Sequence, residues 1–132
     1  MKEQTLVIIK PDGMQRQLAG TIIQRFEGAN LAIAAAKIEQ LSAETLHEHY
    51  QHLIDKPFFP TLIEYMTEVP VLLLIIEGDH AISRVRQLVG ATNPLEASVG
   101  TIRGDFGTSQ TRNVVHASDS LEAAAIEKQR FF

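Results

Sequence analysis

The sequence predicts an α/β (α+β) protein built on a four-stranded antiparallel sheet in βαββαβ order. Three observations carry this reading: short apolar runs bounded by Gly and Pro, stripes of helical period between them, and a helical block inserted after the second strand. With 132 residues, one domain spanning 1–132 is expected, and a chain of this size removes roughly two thirds of its unfolded surface from water. Its 45% hydrophobic content suffices for a core without staples.

Residues 5–9, Thr-Leu-Val-Ile-Ile, are a buried strand that Lys10-Pro-Asp-Gly13 closes as a turn. Apolar residues at 18, 22, 23 and 26 fall on one helical face, and Gly28-Ala-Asn30 stops the helix. Residues 31–41 read as the second strand. Ser42 caps the next helix, whose stripe is Leu46, Tyr50, Leu53 and Ile54 and which Pro57 ends. Residues 59–67 form its partner, making a helical hairpin hinged at Lys56-Pro-Phe-Phe59 that presents aromatics. Val71-Leu-Leu-Leu-Ile-Ile76, apolar on both faces, is a central strand ended by Gly78. Asp79 is expected to cap a helix carrying Ile82, Val85, Leu88 and Val89 that stops at Gly90. Residues 91–112 show no sustained period and read as a long functional loop. Residues 114–116 are a last strand, and Asp119-Ser120 caps a closing helix with Glu122 at a capping-box position. Without the hairpin and the closing helix this is the ferredoxin-like split arrangement, a fold that hosts many functions.

Composition removes several classes of function. Cysteine is absent, which excludes disulfide frameworks, thiolate metal sites and a cysteine nucleophile. The net charge of −4 has the wrong sign for a protein held to nucleic acid by counterion release. The longest apolar run, Val71 to Ile76, is far below a membrane span, and no signal-peptide pattern opens the chain. A soluble cytoplasmic protein without membrane partners is the expectation.

Charge is unevenly spread. From Asp79 to His116 four arginines face three acids, a balance of +1, which leaves −5 on the remainder. Arginine suits phosphate oxygens because its planar fork donates two parallel bonds. Arg84 reads as a solvated surface charge, and Arg112 is open to either role. Arg86 stands half a turn from Arg84, so only one of them can face a given cleft. Arg103 lies between Gly100 and Gly104, where backbone can approach a ligand. His47, His49 and His52 lack the i, i+4 spacing of a helical metal site and read as surface residues, as does His80. His116 ends an apolar strand, and a hydrogen-bonded neutral imidazole there is a competent nucleophile or base, although a satisfied core histidine is the commoner fate. Lys10 closes the first strand within reach of phosphate oxygens, without any Walker loop. Phe58, Phe59 and Tyr50 fit the core, while an exposed Phe in the hinge would equally offer a flat surface on which any base can stack.

Taken together these strings resemble the nucleoside diphosphate kinases from about Thr5 to Phe132. The specific matches are Ile9-Lys-Pro-Asp-Gly13, His49-Tyr50 followed by Lys56-Pro-Phe-Phe59, Thr92-Asn-Pro94, Gly100-Thr-Ile-Arg-Gly-Asp-Phe106 and Asn113-Val-Val-His-Ala-Ser-Asp-Ser120. The resemblance implies a ping-pong phosphotransferase in which His116 carries the phosphoryl group between nucleoside triphosphates and diphosphates. It further implies that Lys10, Arg86, Thr92, Arg103 and Asn113 contact phosphates and sugar, that Phe58 stacks on the base, and that Leu62 lines the same slot. Tyr50 is expected beside the histidine, and Ser118 with Glu127 to orient it. Mg²⁺ is expected to arrive on the phosphates without a protein ligand. A homo-oligomer built from dimers, tetramer or hexamer, is also implied. Family members usually carry Gly where Ala117 stands and Pro where Val99 stands, and the loop 107–111 departs from the usual pattern. The chain ends at Phe132 where many relatives continue, so the oligomer is expected to form without a long tail. A nucleotide-binding module without turnover and a nucleic-acid binder are the alternatives; the intact His116, Lys10 and Arg103 oppose the first, and charge opposes the second.

Overall fold

A computed structural model describes residues 2–132. The four strands are β1 (Lys2–Ile9), β2 (Ala32–Glu39), β3 (Val71–Asp79) and β4 (Val115–Ala117), in the antiparallel order β2-β3-β1-β4. The central strands are paired along their whole length, from Lys2 opposite Asp79 to Ile9 opposite Leu72. β4 pairs only with the last part of β1, setting His116 opposite Ile8.

Alternation along the central strands builds two cores. Val7, Ile9, Leu74 and Ile76 face one way, against Ile22 and Phe26 of helix α2 (Ala19–Glu27) and Val85 and Val89 of α5 (Ala81–Val89). Leu6, Ile8, Val71 and Leu73 face the other way. There they meet Leu46 of α3 (Ala43–His49), Phe59, Leu62, Tyr65 and Met66 of α4 (Phe59–Met66), and Phe131 of α7 (Leu121–Phe131). The expected helices therefore cover one face, and the inserted hairpin with the closing helix covers the second. β2 and β4 are the edge strands, and much of β2 is exposed.

Several expected boundaries move, each for a local reason. The turn after β1 is a short helix, α1 (Pro11–Gln15), in which Pro11 occupies the first turn where no N–H is needed. The Leu46 helix ends at His49, not at Pro57, and a 3₁₀ turn over Gln51–Leu53 carries the chain on, leaving Ile54 exposed. β3 continues through Gly78 to Asp79. The cap of α5 is therefore His80 in the left-handed region at φ 52°, without a side-chain bond, and not Asp79. The long loop contains α6 (Ile102–Phe106), begun by the Thr101 hydroxyl accepting from Gly104 N–H. Ser120 alone caps α7, accepting from Ala123 N–H, so Glu122 falls one position short of a capping box. The last strand begins at Val115, because Val114 stands at φ 65°.

Gly90 joins this frame to the loop. It ends α5 at φ 90°, and an added Cβ would lie 2.5 Å from Thr101 Oγ1, while its carbonyl accepts from Arg103. Gly90→Ala is accordingly expected to cost about 1–3 kcal/mol in thermal or denaturant unfolding, the range for a residue forced into a sparsely populated conformation.

Candidate active site

The ends of β1 and β4, the α3–α4 hairpin and the loop 91–112 enclose a cavity of about 610 Å³. Every site residue expected from the sequence lines it except Ser118, which stands one bond behind. Arg86 faces the cavity. Arg84 instead donates to the carbonyls of Asp79 and Ala29. Arg112 pairs with Glu68 at 2.6 Å and lies over the Tyr65 ring, outside the cavity lining.

The floor is set by Val114. Its N–H donates to Asp12 Oδ2 at 3.2 Å, its carbonyl accepts from Lys10 N–H at 2.9 Å, and the Tyr65 hydroxyl donates to the other Asp12 oxygen. A β-branched residue at positive φ is a genuine backbone outlier. Gly13 belongs to the same fit, since a Cβ there would come within 2.9 Å of Ile9 and 3.0 Å of the Val114 carbonyl. The bend turns Asn113 inward, so that its Oδ1 accepts from Lys10 Nζ at 2.8 Å while its amide donates to the Thr92 carbonyl.

The His116 ring is hydrogen-bonded from one side. Its Nε2 lies 2.9 Å from Glu127 Oε1, and Ser118 Oγ donates to the same oxygen at 2.7 Å. An ionised carboxylate accepts, so the ring proton sits on Nε2 and the lone pair is left on Nδ1. Burial lowers the His116 pKa, Glu127 works against this, and Lys10 and Arg103 add to the lowering; the neutral ring is the resting form. For Glu127, burial pushes upward, but the bonds from His116 and Ser118 prevail and hold the carboxyl below its usual range. Ala117 has no positive φ, so a side chain after the histidine is accommodated.

Cations crowd the same space. Lys10 is buried, and desolvation followed by Arg103 brings its pKa down to about 7 against the pull of Asp12. Arg103, 4% exposed, donates to the carbonyls of Gly90 and Val115. Burial and then Arg86 lower it only to about 10, so it stays charged. Arg86 donates to the Ala117 carbonyl at 3.3 Å. Across the cavity Phe58 is 48% exposed and Leu62 is buried, a half-open apolar slot. Tyr50 is buried with its hydroxyl lacking a partner. Such an arrangement can receive a polyanion at one end, a flat apolar group at the other, and present an imidazole nitrogen between them.

His49 corrects the sequence reading. It is 8% exposed, not a surface residue, and its ring lies 4.8 Å from that of His116. Its position, three residues after buried Leu46 and one before Tyr50, is on the apolar stripe of α3, a signal available from sequence. With His116 and Glu127 it forms the one cluster of three metal-ligating side chains among the described residues. That nitrogen-rich set does not suit Mg²⁺, which takes oxygen ligands.

The profile of the family described as nucleoside diphosphate kinase matches residues 3–132. A nucleoside diphosphate kinase from Methanobrevibacter smithii is 52% identical over 103 residues, covering 78% of this chain and 69% of that protein. One from Mycobacterium tuberculosis is 51% identical over 104 residues, covering 78% and 76%. Among solved structures, the Encephalitozoon cuniculi enzyme superimposes with a TM-score of 0.96 at 45% identity, covering 98% of this chain and 88% of that one. The Aquifex aeolicus enzyme gives 0.94 at 38% identity, covering 100% and 96%. A cavity with an oriented histidine among three cations, on a backbone that follows these structures nearly throughout, has one family in view: the chain belongs to the nucleoside diphosphate kinases.

Proposed function

We propose that residues 1–132 act as one nucleoside diphosphate kinase domain in which His116 carries the phosphoryl group of a ping-pong reaction. The observation that supports this most directly is the 2.9 Å bond from His116 Nε2 to Glu127, which leaves Nδ1 as the free nucleophile in a cavity with Lys10, Arg86 and Arg103. The Nδ1 lone pair attacks the terminal phosphorus of a nucleoside triphosphate. The bond from that phosphorus to the bridging oxygen breaks, and its electron pair leaves with the diphosphate. The ring gains positive charge, which Glu127 offsets through Nε2–H, and a second diphosphate reverses the step. Lys10, Arg86 and Arg103 stabilise the transferred oxygens, Thr92 and Asn113 hold phosphate and sugar, Tyr50 stands beside the histidine, and Ser118 steadies Glu127. Phe58 and Leu62 grip the base by stacking and apolar contact, which accepts purines and pyrimidines alike.

Mg²⁺ belongs to the nucleotide on this reading. The lining carboxylates are Asp119 and Glu127, the latter already engaged, so the residues fit a metal that arrives on phosphate oxygens and neutralises their charge there. The reading also includes a homo-oligomer of dimers, tetramer or hexamer, in the cytoplasm. Its support is the exposed edge strand β2 with Ile38 66% exposed, and Leu95 and Val99, 90% and 94% exposed on the loop. No helix among the described residues is long and apolar enough to cross a membrane.

Incubation with γ-labelled ATP and no acceptor should leave acid-labile, alkali-stable label on the protein; label that persists in His116→Ala would refute the assignment. Glu127→Gln keeps an acceptor but removes the charge, and is expected to slow that labelling about tenfold or more while nucleotide affinity holds. Lys10 gives a calorimetric test. Its free pKa of about 7 must rise when phosphates surround it, so ADP binding at pH 8 takes up protons, whereas at pH 6 Lys10 is already charged and contributes none. Binding enthalpies in buffers of different ionisation heat should show this uptake at pH 8, and Lys10→Met should abolish it.

A further inference from the structure

One buried histidine beside the nucleophile has no part in the chemistry above. His49, the last residue of α3, sets its ring edge-on to His116, with centroids 4.8 Å apart and planes at 84°. Behind it, Arg130 on α7 brings Nη1 to 2.9 Å from His49 Nδ1. A guanidinium has donors only, so Nδ1 must be the acceptor and the neutral ring carries its proton on Nε2. Arg130 is itself largely covered, its side chain 13% exposed, and Glu48 Oε1 offsets its charge from 3.6 Å, beyond hydrogen-bond reach of Nε. Phe131 closes the other side of His49, with ring centroids 5.1 Å apart.

We propose that His49, locked by Arg130 as the neutral Nε2–H tautomer, is a positioning residue that fixes the ring plane of His116 for in-line phosphoryl transfer. The inference rests on the reading of His116 as the nucleophile. A single hydrogen bond to Glu127 holds one point of the His116 ring and leaves rotation about that axis. An edge-on wall supplies the second constraint, and a wall built from histidine serves only while its own tautomer and rotamer are fixed. Charge matters as well, because His116 becomes cationic when it attacks, and a protonated neighbour at this distance would oppose the step.

The groups that bear on His49 keep it uncharged. Burial acts first, then His116 from β4; Glu127 of α7 opposes them, and Arg130 of α7 and Lys10 just after β1 reinforce the lowering, to a pKa of about 3. Glu48 and Tyr50 flank it in sequence, with the Tyr50 ring 4.6 Å away, and the Tyr50 hydroxyl, pushed up by its own burial, stays neutral. His49 is therefore uncharged throughout the range in which His116 is a nucleophile.

Arg130→Leu removes the donor, and Arg130→Gln keeps a donor without the charge. Rapid-quench phosphorylation by γ-labelled ATP is expected to slow about tenfold in Arg130→Leu with ADP affinity unchanged, and to recover most of that loss in Arg130→Gln. Nitrogen-15 NMR of the nucleotide-free wild type should show His49 as Nε2–H from pH 5 to 9, and a mixed tautomer in Arg130→Leu. A wild-type rate in Arg130→Leu, a Gln variant no faster than the Leu variant, or an Nδ1–H His49 in the wild type each overturns the proposal. The wild-type tautomer measurement needs neither variant to fold and does not depend on the chemistry of His116. Failure of the nucleophile reading would appear separately, as wild-type label that survives His116→Ala.

Discussion

The site depends on one distorted backbone residue. Val114 sits at φ 65°, where a β-branched side chain is sterically opposed, at a cost on the order of 1–3 kcal/mol. What over-determines it is the segment after β1: Asp12 accepts its N–H, Lys10 donates to its carbonyl, and Gly13 leaves room for that carbonyl. Asp12 is steadied by Tyr65, and Tyr65 by the guanidinium of Arg112 over its ring. The Lys-Pro-Asp-Gly string is thus first a splint for the strand bearing His116. Its lysine reaches Asn113 only because the bend brings the two together.

A second constraint follows from burying cations without carboxylates to match. Lys10 and Arg103 are 6% and 4% exposed, and the protein answers for each differently. Arg103 spends its donors on two carbonyls and keeps its charge, as expected of a weakly hydrated, delocalised cation. Lys10, a compact charge that hydrates strongly, yields part of its proton occupancy instead. The cavity therefore has an electrostatic deficit that a polyphosphate can relieve. A net charge of −4 on the whole chain does not oppose this, because the three lining cations act at contact distance while most of the acids lie elsewhere.

The sequence was legible where period and length were sufficient. The unbroken apolar runs of β1 and β3 mark strands buried on both faces, and the two cores take alternate side chains of those runs. It was not legible in α1 and α6, because five residues hold too little of a helical period to register. The pairing of Ser118 with Glu127 depends on how the chain turns from β4 into α7, which residue spacing does not encode. His49 escapes for a different reason: its spacing to His47 and His52 excludes a helical metal site, while its place beside Leu46 and Tyr50 puts it on an apolar face. A polar residue on such a face demands a buried partner, and Arg130 is that partner.

The division of work between the two layers explains why the chemistry lies where it does. The βαββαβ frame contributes rigidity: β1 is paired on both edges, so Ile9, and with it Lys10, cannot drift relative to His116 on β4. The inserted hairpin and closing helix contribute Phe58, Leu62, Tyr50, His49, Glu127 and Arg130, while Arg86, Thr92 and Arg103 come from α5 and the loop after it. One consequence is that His116 is held between layers. Its backbone belongs to the sheet, while its ring is met from helices on the second face, by Glu127 through a hydrogen bond and by His49 edge-on. Loss of packing between α3 and α7 would thus disturb the orientation of His116 before it disturbed the sheet, and the cluster of Leu46, Tyr50 and Phe131 beneath them is the apolar contact that resists it.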